Sequence, residues 1–237
     1  MNVTIARITA RALFGRRRFL LLIPLPLLLI GLPLLAESLG ADPEHWSEPV
    51  IVGLGLAVVL PVIALVVGTG VLGSEIDDGT LAHILAKPLS RAEIIFSKYV
   101  VAVAVTALTA GVPLFVTGLL AGSTSLAVGL LVGAAVGSLA YCALFLLLSL
   151  LTRRPVLLGL IYILVWEGLL GNLLTGTRVL SVTHYVQAVA DRIAQSSLLD
   201  TTVTLPVAVA MAFIVTVGAT VLAVDRLRSF TVVGDTS

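Results

Sequence analysis

Apolar runs of eighteen or more residues recur along this chain, and no other feature so narrows what it can fold into. One of them, Val50–Leu72, reads "VIVGLGLAVVLPVIALVVGTGVL" without a single charge. A bilayer core about 30 Å thick is crossed by about 20 such residues at 1.5 Å each. Hydrocarbon offers no water to backbone N–H and C=O groups, so a spanning segment of this kind must be a helix. Six runs qualify: Phe19–Ala36, Val50–Leu72, Tyr99–Ala121, Thr124–Leu151, Val156–Leu174 and Val203–Val224. The fourth is long and must tilt or project. The totals agree: 11% of residues are charged, against about 25% in soluble domains, and the mean hydropathy is +1.15. A soluble enzyme is excluded. The lone cysteine, Cys142, lies inside an apolar run, which rules out an intrachain disulfide or a cysteine-based metal site. The expected architecture is an all-α, polytopic single transmembrane domain over residues 1–237.

Orientation follows from where the basic residues fall. Arg7, Arg11, Arg16, Arg17 and Arg18 precede the first run; Lys87, Arg91 and Lys98 lie between the second and third. Arg153 and Arg154 separate the fourth from the fifth, and Arg226 and Arg228 follow the sixth. Only Arg178 and Arg192 lie on the opposite side. Positive charge stays in the cytoplasm, which puts both termini and the connector between spans two and three there. The first outer loop, "ESLGADPEHWSEP", carries four acids and no Lys or Arg. "GRRRFLLL" imitates a twin-arginine export signal; the run behind it lacks an A-x-A site and precedes five more spans, so it reads as a basic flank. Residues Asn2–Phe14 set Val3, Ile5, Ile8 and Leu13 against Arg7 and Arg11, the pattern of a short amphipathic helix on anionic headgroups.

The connector, "GSEIDDGTLAHILAKPLSRAEIIFSKY", gathers Glu75, Asp77, Asp78, Lys87, Arg91, Glu93 and Lys98 into an otherwise apolar chain. Asp77 or Asp78 can cap a short helix with Leu81, Ile84 and Leu85 on one face. Pro88 stops it after two turns. Ser90 and Glu93, in capping-box spacing, start a second helix that runs into the third span. A two-turn helix is marginal alone in water, so its apolar face needs a surface, either this chain's own helix ends or a partner's groove.

This connector resembles the segment after the second span of the ABC-2 type permeases, where an acidic run, Gly-Thr-Leu, two leucine-type positions, Pro-hydrophobic-Ser-Arg and a later Lys recur. The matching positions are Glu75, Gly79, Thr80, Leu81, Ile84, Leu85, Pro88, Ser90, Arg91 and Lys98. "YILVWEGLLGNLL" followed by "RVLSVTHYV" is similar to the fifth span and outer segment of actinobacterial members. The resemblance implies that the connector is a coupling helix seated in a groove of a separate ATPase, with Glu75, Gly79, Thr80, Leu81, His83, Ile84, Leu85, Lys87, Arg91 and Arg153 as docking residues. His83 departs from the acidic or bulky residue common at its position, and "TRRPV" is too short for a second coupling helix. The resemblance further implies two ATPase subunits, a second permease copy or paralogue, export, and residence in a bacterial cytoplasmic membrane. ATP and Mg would bind the partner, since this sequence has no G-x-x-x-x-G-K-[ST]. No nucleic-acid partner is expected, and the chain holds no cofactor or catalytic residue of its own.

Two other chemistries compete. Glu75-x-x-Asp78-Gly79-x-x-Ala82-His83 approaches the start of the CDP-alcohol phosphatidyltransferase motif, but the second pair of carboxylates that a two-metal site needs is missing. An energy-independent carrier or channel would line its path with intramembrane charge, and only Glu167 lies deep in a span. Glu167 is the candidate for the translocation path; the alternative is a protonated side chain bonded to a neighbouring helix. Gly129, Gly133 and Gly137 form a smooth stripe for close helix packing. Ser181–Leu199 reads as a short outer amphipathic helix, on the membrane surface or capping an exit.

Overall fold

In a computed structural model the described residues are 22–77, 91–171, 175–199 and 201–229. They form helices and turns, with no strand among them. We number the helices α1 (Pro24–Ser38), α2 (Pro43–Ser47, Glu48–Val59 and Leu60–Asp77 in succession), α3 (Arg91–Leu120) and α4 (Thr124–Leu151). Then come α5 (Pro155–Ile161 continued by Tyr162–Leu170), a 3-10 segment Thr175–Leu180, α6 (Val182–Ala194) and α7 (Leu205–Ser229). The expected amphipathic helix over Asn2–Phe14 lies outside the described residues, as do Asp78 and most of the connector. Asp77, one of two expected caps for the connector helix, belongs to the last turn of α2.

Local chemistry sets the boundaries. Proline occupies the first turn of α1, α2 and α5, where its missing N–H costs nothing. Gly122 adopts φ +79°, a left-handed turn that glycine takes without strain, and reverses the chain between α3 and α4. Ser123 then caps α4, its hydroxyl accepting the Leu126 N–H at 3.2 Å. The segments of α2 join without a break, since Glu48 and Leu60 at the joints keep right-handed helical angles. Its middle segment has widened, π-type turns, with the Leu60 N–H bonded to the Gly55 carbonyl five residues back.

Among the described residues four stretches are long and apolar enough to cross a membrane: Pro43–Leu72, Arg91–Leu120, Thr124–Leu151 and Leu205–Leu227. Two shorter apolar helices, Pro24–Ser38 and Pro155–Leu170, fall where the first and fifth spans were expected. This is a helical membrane protein. Its outward side chains include Leu27, Leu108, Leu164 and Phe213, an apolar exterior that suits lipid and that water would not tolerate.

α4 is the axis of the bundle, touching α2, α3, α5, α6 and α7. Its inward side carries Tyr141, Cys142, Phe145 and Leu146, all buried. α1 packs on α2 and α3, and Thr117 of α3 donates to the Leu29 carbonyl at 3.0 Å. Such interhelical hydrogen bonds matter because lipid gives apolar helix faces little reason to associate.

Candidate functional site

The expected site residues divide into two groups at different places in the fold. Of the docking group, Gly79, Thr80, Leu81, His83, Ile84, Leu85 and Lys87 lie outside the described residues. Glu75 falls in the last turns of α2. Arg91 opens α3, and its Nη1 atom is buried with no hydrogen-bond partner among the described residues. Arg153 is exposed in the turn between α4 and α5.

The second group converges on α6. The glycine stripe of α4 faces it: a Cβ on Gly129 would fall 2.5 Å from the Ala190 carbonyl oxygen, and one on Gly133 would fall 2.9 Å from that of Val186. At Gly137 a Cβ would meet both Val186 Cγ2 and Leu60 Cδ2 at 2.7 Å. The stripe is therefore filled by a helix of the same chain. The Tyr141 hydroxyl lies 2.9 Å from that of Thr183, at the start of α6. The Ser125 hydroxyl lies 3.5 Å from the carbonyl oxygen of Ala194, at its end. From Tyr141 back to Ser125 is about 24 Å of helix. The outer amphipathic segment thus includes a helix at the expected place, but it lies along the depth of α4 instead of flat on a surface.

Glu167 sits at the foot of that helix. It is 5% exposed and about 18 Å along α5 from Pro155. Oε1 accepts from the Tyr162 hydroxyl at 2.8 Å and from the Val182 N–H at 3.0 Å. Oε2 accepts from the Ser181 hydroxyl at 2.5 Å and from the Thr183 N–H at 3.2 Å. The two amide donors are first-turn groups of α6 that have no partner within their own helix. A carboxylate there also meets the positive end of the helix dipole. Ser181, at the N-cap position, makes no side-chain cap bond to its own helix; Glu167 caps it from another one. Around the carboxylate Tyr141 stacks on Phe145, with centroids 5.9 Å apart, and Phe145 meets Tyr162 edge-on at 6.1 Å.

Further bonds tie α5 to the 3-10 segment and to the start of α6. The Trp166 indole donates to the Leu180 carbonyl at 3.2 Å and the Thr177 hydroxyl to that of Leu170 at 2.6 Å. His184 Nε2 lies 3.2 Å from the Gly171 carbonyl oxygen. Sequence reading missed Tyr162, Ser181 and Thr183 as partners of Glu167. Ser181, a cap-type residue just ahead of an amphipathic stretch, was the available signal.

A family model described as ABC-2 family transporter protein matches residues 16–169, well over half of the chain. The match takes in α1 to α4 and α5 as far as Leu169, and includes both the connector and Glu167. No curated protein matches the chain.

Proposed function

The chain belongs to the ABC-2 family of transporter membrane proteins, and on that premise we propose that it is the permease of a two-component exporter, driven through its 75–91 connector. As a permease subunit of an ABC transporter it is a transport component and not itself catalytic. In the proposed complex two separate ATPase subunits bind ATP and Mg, and a second permease copy or paralogue completes the path. Six spans, with both termini in the cytoplasm of a bacterial cell, accord with the placement of the basic residues.

The observation that carries this reading is the length of α3. Its 30 residues extend about 45 Å, about 15 Å more than the hydrocarbon needs. A helix of that length has about three turns to spare beyond the hydrocarbon, enough for its Arg91 end to stand clear of the lipid. A continuous helix of this kind would carry a push on its Arg91 end into movement of the part packed in the bundle. ATP-driven closure of the ATPases would move the connector, and alternating access would follow by rigid-body motion of packed helices. The unmet Arg91 donor adds a point at which an acidic or carbonyl group of a partner would be welcomed.

Glu167 enters this scheme through α6. Its hydrogen bonds to Tyr162, Ser181, Val182 and Thr183 are all to protein donors, so it serves the path by holding α6 in place beside α4. The fold leaves the cargo open.

The test is co-purification. Leu81→Asp or Leu85→Asp would place an unpaired charge in the ATPase groove at a cost of several kcal/mol, while every span is left intact. The variants should insert normally and lose the ATPase. Recovery of the ATPase at wild-type yield with either variant would remove the docking scheme.

A further inference from the structure

Lys98 is fully buried, although the connector sequence presents it as one of a group of surface charges. Its ammonium donates to the Val71 carbonyl oxygen at 2.7 Å, across 27 residues of chain. Val71 belongs to the last part of α2 and Lys98 to the second turn of α3. The contact therefore joins the two rods that enter and leave the connector, just above it. Ile94, Ile95 and Ser97 beside Lys98, and Val67 and Leu72 beside Val71, are likewise fully buried. The next residue, Tyr99, donates to the Leu139 carbonyl of α4 at 3.0 Å.

A leucine or methionine would fill this interior without the desolvation that an ammonium demands. What the ammonium adds is register. Apolar helix faces slip along one another by about 1–2 Å in switching proteins, and in a bilayer such slips lose little, since lipid is as apolar as the faces themselves. A charge-assisted hydrogen bond is short and directional and does not survive a slip of that size. We propose that Lys98 is a positioning residue that locks the axial register of α2 and α3, so that displacement of the 78–90 connector reaches both helices as one body. This rests on the reading of the chain as a permease driven through that connector.

The experiment uses the permease–ATPase complex in lipid nanodiscs. Spin labels go on Gly53→Cys in α2, where a side chain meets open space, and on exposed Leu108→Cys in α3, in a Cys142→Ser background. The label distance is measured at rest and after trapping with Mg-ATP and vanadate. The wild-type pair should keep one distance in both states. Lys98→Met should co-purify with the ATPase yet show a trapping-dependent shift of about 2 Å, the size of a helix slip. Lys98→Arg, which keeps a cationic donor, should restore the fixed distance. An unchanged distance in Lys98→Met overturns the proposal, and so does a wild-type pair that itself moves on trapping, whether or not Lys98→Met assembles. If the wild-type chain forms no complex with an ATPase, the permease reading fails and this inference goes with it; an intact complex without the shift removes the inference alone.

Discussion

The carboxylate of Glu167 and the backbone N–H of Val182 meet at 3.0 Å, although the 3-10 segment Thr175–Leu180 stands between α5 and α6 in the chain. Each carboxylate oxygen takes one backbone donor and one hydroxyl donor, an arrangement that a primary amide cannot copy. In Glu167→Gln one of the two terminal atoms becomes an NH2 group facing the N–H of Val182 or Thr183. An unsatisfied buried donor costs about 1–3 kcal/mol. Glu167→Gln should therefore loosen the first turn of α6, seen as faster amide exchange over Val182–Tyr185 and a lower melting temperature in detergent, without any ATPase present. Ser181→Ala, which removes one hydroxyl donor and no acceptor, should do the same more weakly. Unchanged exchange in Glu167→Gln would show that the carboxylate is not holding α6, and would return it to direct contact with cargo.

Gly129→Ala and Gly133→Ala should separate α6 from α4. Each added methyl would meet a backbone carbonyl oxygen of α6, at 2.5 Å and 2.9 Å respectively. Backbone cannot rotate away as a side chain can, so the helix must shift, and overpacking of this kind costs about 1–3 kcal/mol. Gly31→Ala, where a Cβ meets nothing within 4 Å, is the control. Thermal melts of the three purified variants decide the point: the two stripe variants should fall and the control should not.

Gln195 ends α6 at φ 49°, in the left-handed region. A side chain there carries a penalty of about 1–2 kcal/mol that glycine avoids. Gln195→Gly should raise the melting temperature and leave assembly unchanged. A lower melting temperature would mean that the Gln195 side chain contributes more than its backbone loses.

Much of the scaffold was legible because hydrocarbon imposes one length and one secondary structure on any segment that crosses it. Gly122, and the proline-led starts of α1 and α5, are local signals too, but the spans read from hydropathy began at Phe19 and Val156 and did not use them. The glycine stripe could be read as a close-packing face, but not its occupant, because the partner helix lies some fifty residues further on, past the end of α5. The same separation hid the partners of Glu167. Lys98 illustrates the opposite limit. Sequence counts it with Lys87 and Arg91 as a basic residue marking one side of the membrane, yet its ammonium is turned inward onto Val71. A residue's charge was legible; its direction depends on a neighbouring helix that the sequence does not place. Docking by the connector rests on family resemblance and on the length of α3, not on the connector's own geometry.

That inward turn decides how the orientation must be tested. A cysteine at Lys98 would be sealed inside the bundle, so its failure to react would say nothing about which side it faces. Arg153 and His45 are both exposed and stand at opposite ends of the proposed spans. Arg153 follows α4 among the basic residues assigned to the cytoplasm, and His45 lies in the acidic loop assigned to the outside. Single cysteines at the two positions, in a Cys142→Ser background, would be treated with a membrane-impermeant maleimide in intact cells and again after permeabilisation. Position 45 should label in both conditions, and position 153 only after the membrane is opened. Labelling at 153 but not at 45 in intact cells would invert the chain. The connector, on the same side as Arg153 because α3 and α4 return the chain to its starting face, would then point outward, where no ATP-driven partner could reach it.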